Sequence, residues 1–410
     1  MRIGMVLETA FPPDIRLEKE MRALRTQGHE VILLCRHVDD QPIEERFEDA
    51  TVVRFREPSE GNALSKKFAV LRQWLTARKQ AWEIALTEFV KEKNIQALHV
   101  HDLPLVPTAL AVARKQEIPL VFDMHEIYPV MVRDRTGVPS GLINRINTGI
   151  HSLLFSPRWW DRVEQCAVRD ADRIIVVVDE SKQRLVKMGI SADKISVVLN
   201  AEDIDKFANL PGAESLDLQF QNDFVVGYVG GVDSPNRGLE NLVKAWPLVL
   251  PKIPNARLLI VGDGGMRPVI ETLVHSLDLT ERVTFTGWVT FHEVAAYIDA
   301  LNLAVIPHVI NEHTNHTIPH KLFQYIALGK MIVASDIVPI RRIIEDTHAG
   351  IIAREWSPQG FADAIVRAHG LLQAGQHDAG RQVEVLKKRY GFKAMAQPLL
   401  ELYESLERSR

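Results

Sequence analysis

Residues 2–35 read RIGMVLETAFPPDIRLEKEMRALRTQGHEVILLC. Arg2 to Leu7 is an apolar run of strand length, and Phe11-Pro12-Pro13-Asp14 makes the loop after it. From about Ile15 to Gln27 the apolar residues Leu17, Met21 and Leu24 recur at helical spacing. Gly28 then stops the helix, and Glu30 to Cys35 is a second apolar run. Strand, loop, helix and strand in that order form a βαβ unit, the opening of a doubly wound α/β domain.

The same alternation continues outward. Ala97 to His101, Leu120 to Phe122, Ala171 to Val178 and Ile195 to Leu199 read as further strands. After a polar stretch from Ala208 to Asn222 the pattern restarts at Phe224 to Tyr228, followed by Ala256 to Val261, Val283 to Thr286, Leu303 to Pro307 and Met331 to Ala334. A chain of 410 residues has room for two or three domains with full cores. The expectation is two Rossmann-like parallel-sheet domains, residues 1–210 and 211–385, and a terminal helical segment, 386–410.

Composition narrows the class. With 46% hydrophobic and 25% charged residues and a formal net charge of -4, the chain has no global basic field to attract nucleic acid. Two isolated cysteines, Cys35 and Cys166, fit a reducing compartment and exclude a cysteine zinc site. MRIGMVLETAF lacks a signal peptide's apolar core, and no run reaches the roughly 20 apolar residues a bilayer span needs. A cytoplasmic protein is expected.

Ligands of open α/β sheets bind outside the carboxyl ends of the strands, which puts His101, Asp102, Asp123, His125 and Glu126 on the functional edge. No helical HExxH spacing supports a metal there. In the second half, GGVDSPNRGLENL from Gly230 is a glycine-rich turn between strand and helix, a phosphate cradle in principle. Thr317 to Asp336, TIPHKLFQYIALGKMIVASD, reads as loop, short helix and buried strand, with Thr317 as the helix cap and Leu322, Phe323, Ile326 and Ala327 on one face. A helix N-terminus near His316 to Pro319 and the charge of Lys321 would together suit a phosphate.

Two stretches point to surfaces. Asn62 to Lys93 reads as a long helical region with Phe68, Leu71, Trp74 and Leu75 on one side and Lys66, Lys67, Arg72, Arg78 and Lys79 interspersed, which suits either an anionic membrane or a solvated face over a core. LLFSPRWWDRVEQ crowds Leu153, Leu154, Phe155, Trp159 and Trp160 together, as helix-packing core or as an interface for a lipid-linked acceptor.

Taken with their spacing, FPPDIRLEKEMRALRTQGHEVILL, the HDLPL and DMHE segments, GGVDSPNRG, VGDGG and TIPHKLFQYIALGKMIVASD resemble the family 4 glycosyltransferases. The resemblance implies two Rossmann-like domains facing across a cleft (the GT-B fold), with the C-terminal helix crossing back to the first domain. It implies a retaining hexosyltransferase that moves a sugar from a nucleotide-sugar donor to a glycan or lipid-linked acceptor of a surface polymer, with the donor as co-substrate and no metal. By position, Gly230, Gly231, Arg237, Gly262, Val289, His316, Thr317, Ile318, Lys321 and Gln324 fall at the donor site, Arg16, His101, Asp102 and Glu126 at the acceptor, and His125, Arg237 and Lys321 at the chemistry. The chain departs from the family at Gly231, where an Arg is usual, and at His316 and Gln324, where glutamates are usual. Gln324 can still bond a ribose hydroxyl; His316 could face sugar or phosphate or simply serve the loop. The same architecture leaves two alternatives open, a nucleotide-sugar 2-epimerase using Asp102, Asp123 and Glu126 as acid and base, and a degenerate non-catalytic partner of another transferase. Peripheral contact with the inner membrane face is a further expectation.

Overall fold

The structure is a computed structural model, and it describes the chain except residues 13, 39, 49, 59–62, 136–154, 201, 217–219, 221 and 409–410, with the backbone alone for 63–67, 135 and 215. Of the residues singled out above, Pro13, Leu153 and Leu154 and the side chains of Lys66 and Lys67 lie outside the described set.

The chain forms two compact units, residues 1–198 with 396–410, and residues 199–395. Both divisions differ from the 210 and 386 expected. The short helix Ile204–Ala208 buries Ile204 and Phe207, and Phe207 meets Phe291 at 5.9 Å, so this segment belongs to the second unit's core. The helix Ala379–Tyr390 also stays with the second unit, where buried Gln382 donates to the Ile326 carbonyl at 3.3 Å. Only the later part of the helix Phe392–Arg408 joins the first unit.

The first unit is built on β1 (Arg2–Val6), β2 (Glu30–Arg36), β3 (Glu44–Phe47), β4 (Ala50–Phe55), β5 (Ala97–His101), β6 (Leu120–Met124), β7 (Arg173–Val176) and β8 (Ile195–Val197). They form one sheet in the order β3-β4-β2-β1-β5-β6-β7-β8, parallel except for the antiparallel β3 at its edge. β1 pairs Ile3 with Val31 on one side and with Ala97 on the other. The central strands β1, β2, β5 and β6 are buried on both faces, which is why they read as continuous apolar runs rather than alternating ones. The long helical region expected over 62–93 is two helices, Ala63–Thr76 and Gln80–Glu92, broken at Ala77 with φ +57. Trp82 from the second of them is fully buried against Phe55, whose ring lies 5.1 Å away.

The second unit holds β9 (Phe224–Val229), β10 (Ala256–Val261), β11 (Val283–Gly287), β12 (Leu303–Ile306), β13 (Met331–Ala334) and β14 (Gly350–Ile352), all parallel, in the order β11-β10-β9-β12-β13-β14. Trp246, Tyr228 and Phe361 are fully buried in its core. Each large apolar side chain so buried contributes about 1.5–3 kcal/mol.

Both orders reverse direction once. The chain lays strands to one side of β1 and then restarts on its other side with β5; β9 and β12 repeat this in the second unit. Such a switch point leaves a crevice at the carboxyl ends of the two strands, where α/β proteins bind ligands. The loops after β1, β5, β9 and β12 are therefore the ones that matter.

Candidate functional site

At the first switch point β5 ends in His101, with Asp102 just beyond it, while β6 places Asp123 opposite His101 in register. The helix Ile15–Thr26, capped by the Asp14 carboxylate accepting from the Leu17 N–H, directs Arg16 and Glu20 at the same point. Arg16 holds Asp123 in a bidentate grip, Nη2 to Oδ1 at 2.9 Å and Nε to Oδ2 at 3.2 Å, and Nη1 donates to the Val198 carbonyl at 3.0 Å. The Asp123 carboxylate also accepts from His125 Nε2 at 2.9 Å and lies 3.1 Å from His101 Nδ1. Burial alone would raise Asp123, but Arg16, His125 and these hydrogen bonds outweigh it and hold it well below the usual carboxylate range.

The neighbours titrate accordingly. Burial would push His125 down, yet the Asp123 and Asp102 carboxylates push it up to about 10, so it is an imidazolium. Its Nδ1 faces Asp102 at 3.8 Å, beyond hydrogen-bond length, and is the nitrogen that can donate to a ligand. Partial burial, with the carboxylates of Glu126, Asp123 and Asp14 nearby, pushes Asp102 up to about 6 against the pull of His125. Burial raises Glu20 to about 8 although Arg16 Nη2 lies 2.9 Å from its Oε1. His99, two residues back along the strand, is pushed down to about 4 by burial, and its Nδ1 lies within hydrogen-bond distance of the Tyr403 hydroxyl at 3.0 Å. Glu20, His99, His101 and Asp123 offer ligand atoms within 4.8 Å of one another, but the Arg16 guanidinium already occupies both carboxylates, and a metal ion would have to displace it.

The second switch point is organised by glycines. Gly230 follows β9 at φ +139 and Gly262 follows β10 at φ +130. A Cβ on Gly262 would come within 2.1 Å of the Gly230 carbonyl, and one on Gly230 within 2.5 Å of Lys321 Nζ. The missing side chains let the lysine in. Lys321, in the first turn of the helix His320–Ala327, is 8% exposed, stands 3.5 Å over the Tyr228 ring, and its Nζ makes no hydrogen bond among the described residues. Burial lowers its pKa well below the usual range, and Arg237 lowers it further. Arg237, in the turn Pro235–Arg237, donates from Nε to Asp233 at 3.0 Å.

Several expected residues land elsewhere. Arg16 and His101 are buried, and their bonds run to Asp123, so they orient that carboxylate instead of reaching an acceptor. Asp102, with 42% of its side chain open, and half-buried Glu126 remain on the accessible edge. Thr317 does not cap the helix; the cap position is Pro319, and Thr317 is extended. Ile318 is buried, and its carbonyl accepts from Asn200 Nδ2 at 3.0 Å. His316 Nδ1 bonds the Glu312 carbonyl at 2.7 Å, which favours the loop role. Gln324 Nε2 donates to buried Glu202 at 3.2 Å, so the amide expected to meet a ribose is already engaged by a carboxylate. Gly231 stands open, with only Asp233 within 4 Å of its added Cβ, and Val289 is half-buried just beyond β11. Sequence reasoning missed His308 and Glu202. The Pro-His pair directly after the apolar run of β12 was the available signal for His308.

The model for "Glycosyl transferases group 1" matches residues 223–370, and that for "Glycosyltransferase Family 4" matches residues 17–206. Among curated relatives, the phosphatidyl-myo-inositol mannosyltransferase of Mycolicibacterium smegmatis is 24% identical over 99% of this chain and 94% of its own. The alpha-monoglucosyldiacylglycerol synthase of Acholeplasma laidlawii is 23% identical over 72% of each. Two solved structures share the fold. Sucrose-phosphate synthase of Thermosynechococcus elongatus superposes with TM-score 0.77 at 18% identity over 100% of both chains. HepE of Anabaena in complex with UDP-glucose gives TM-score 0.73 at 16% identity over 99% of this chain and 100% of its own. Two family domains matched in succession, on two parallel sheets of the GT-B kind, make this chain a family 4 glycosyltransferase.

Proposed function

We propose that the enzyme is a retaining hexosyltransferase that takes its sugar from a nucleotide-sugar donor and passes it to a glycan or lipid-linked acceptor, without a metal. The observation that carries the donor half is Lys321, a buried amine beside Arg237 whose Nζ has no hydrogen-bond partner among the described residues. A charge in that position lacks only an anion. The diphosphate of a nucleotide sugar has the right charge, and the N-terminus of the helix His320–Ala327 would add a partial positive charge. As the glycosidic bond of the donor breaks, negative charge grows on the departing phosphate, where Lys321 and Arg237 stabilise it more than in the ground state. On the acceptor side His125 carries a proton on Nδ1 suited to a hydroxyl or phosphate oxygen. Asp123, held ionised by Arg16, His101 and His125, is a poor acid or base, which weighs against the 2-epimerase reading.

The relatives named for acting on phosphatidyl-myo-inositol and diacylglycerol support a lipid-linked acceptor. So does the helix Ala63–Thr76, which leaves Phe68, Leu71, Trp74 and Leu75 exposed and supports peripheral membrane contact. Among the described residues no helix is long and apolar enough to cross a membrane. The test is thermal shift against UDP-, GDP- and ADP-sugars, followed by turnover with the one that binds. Donor bound at a hundred times its Kd stabilises by about 2.7 kcal/mol. No shift from folded protein with any donor would return the chain to the non-catalytic partner.

A further inference from the structure

β12 delivers Pro307 and His308 to the second switch point, beside the Gly230 turn. His308 is 5% exposed, and among the described residues its Nε2 has no hydrogen-bond partner, the same condition as Lys321 Nζ. Its backbone is held from three sides. The Pro307 carbonyl accepts from Trp356 Nε1 at 3.2 Å, the Val309 N–H donates to the Asn236 carbonyl at 2.9 Å, and a Cβ on Gly238, at φ +69, would come within 1.8 Å of the Pro307 oxygen. The backbone on either side of the imidazole is thus held, and the ring's Nε2 is unsatisfied among the described residues, which a protein interior tolerates where a ligand supplies the partner.

The groups that act on it are basic: Lys321 from the helix His320–Ala327, Arg237 from the turn Pro235–Arg237 and His313 from its own loop. Asp233, bonded to Arg237, is the acid that acts on Lys321. Burial and these cations lower His308 well below its usual range, and a diphosphate seated among the same groups would reverse the sign of the local field.

We propose that His308 is a proton-linked ligand of the donor's diphosphate, neutral while the site is empty and protonated when the anion seats. This rests on the donor reading given above. A proton from the buffer adds to the ring nitrogen, no bond of the donor changes, and the imidazolium then donates to a phosphate oxygen. Donor binding by this enzyme is therefore coupled to proton uptake, and its affinity falls as pH rises.

Calorimetry with UDP-glucose, GDP-mannose and ADP-glucose, in buffers of different ionisation enthalpy, measures the uptake directly. A nucleotide sugar is the right probe because its diphosphate is esterified at both ends and does not itself titrate near neutrality. For the donor that binds, wild type should take up about 0.5–1 proton per site at pH 7.5, with affinity falling up to about tenfold per pH unit. His308→Gln should fold with an unchanged melting curve, bind more weakly and lose at least half of that uptake. Lys321→Arg, permanently charged, should keep the share that belongs to His308. Uptake that is zero in wild type, or undiminished in His308→Gln, overturns the proposal while leaving the donor site intact. Absence of binding by folded wild type to all three probes overturns the donor reading itself.

Discussion

In the first unit Arg16 lies between Asp123 and Glu20, and His125 is tied to Asp123 at 2.9 Å; each cation there has its carboxylate. In the second unit Lys321 lies with Arg237 and His308, and the acid acting on Lys321 is Asp233, already 3.0 Å from Arg237. Two sheets of the same type, each with its loops gathered at a switch point, thus carry opposite charge arrangements. The first is a completed network that fixes His125. The second is a cluster of basic groups with one acid among them, which a bound anion would complete. Completed networks show their worth in stability, and unbalanced ones in binding.

That contrast predicts different responses to removing a cation. Lys321→Met should lower turnover on the order of a hundred- to a thousandfold, through loss of charge at the departing phosphate. Its melting temperature should hold or rise, because a buried amine with no hydrogen-bond partner among the described residues is replaced by an apolar chain of similar length. Steady-state kinetics and thermal melts of the same preparation check both halves, and a fall in stability with turnover intact would invert the comparison.

Arg16→Met in the first unit should do the reverse in order of effect. It leaves Asp123 buried without its bidentate partner, which costs about 3–5 kcal/mol, read as a lower urea midpoint. Any loss of turnover would follow from displacement of His125. A variant as stable as wild type would mean that Asp123 is not held as an ion.

Glu20 sharpens the comparison through pH. Its folded pKa, about 8, lies above its ordinary value of 4.5 because of burial. The stability it contributes is therefore complete below about pH 4.5 and is lost as pH rises towards 8. Glu20→Gln keeps the shape without the titration. The melting temperature of wild type minus that of Glu20→Gln should fall steadily from pH 5 to pH 8. His125, whose contribution is lost only as pH rises towards 10, is present in both proteins and cancels from the difference. A flat difference would show Glu20 to be ionised throughout.

Much of this architecture was legible in the chain. The apolar runs of β1, β2, β5, β6, β9, β10, β12 and β13 are buried on both faces, so hydrophobicity alone marks them, and the glycines after β9 and β10 announce the turns. The edge strand β3, EERF, is polar and antiparallel and gave no such signal. The sites were less legible, because partners distant in sequence decide them. Arg16 meets Asp123 across 107 positions, and Gln324 meets Glu202 across 122. From local pattern Arg16 is a helix residue near a loop and Gln324 a weakened glutamate; with partners known, one is a clamp and the other stands beside the carboxylate that its own position lacks. The Pro-His pair marks His308 as a loop residue after a strand, and the strand order, with β12 beside β9, brings it to the Gly230 turn.

The smallest expected effect concerns Thr317, where a local rule and the structure disagree. A threonine before an apolar helix normally caps it, and removing such a cap costs about 1 kcal/mol. Thr290 does so here: its hydroxyl accepts from the Glu293 N–H at 3.4 Å, while the Glu293 carboxylate accepts from the Thr290 N–H at 2.7 Å. Thr317 is extended at φ -132, ψ 167, and Pro319 occupies the cap position of the next helix with no side-chain bond to it. Thr290→Ala should therefore lose about 1 kcal/mol, and Thr317→Ala less than about 0.5 kcal/mol, in matched urea titrations. The helix His320–Ala327 can do without a cap because all its residues from Lys321 to Ala327 are buried, so packing holds it. In place of a side-chain cap, the Leu322 N–H donates to the Pro319 carbonyl at 3.1 Å. If Thr317 contacts the donor, Thr317→Ala will shrink the donor-induced thermal shift while the protein alone melts as before; equal losses in both would return Thr317 to the capping role.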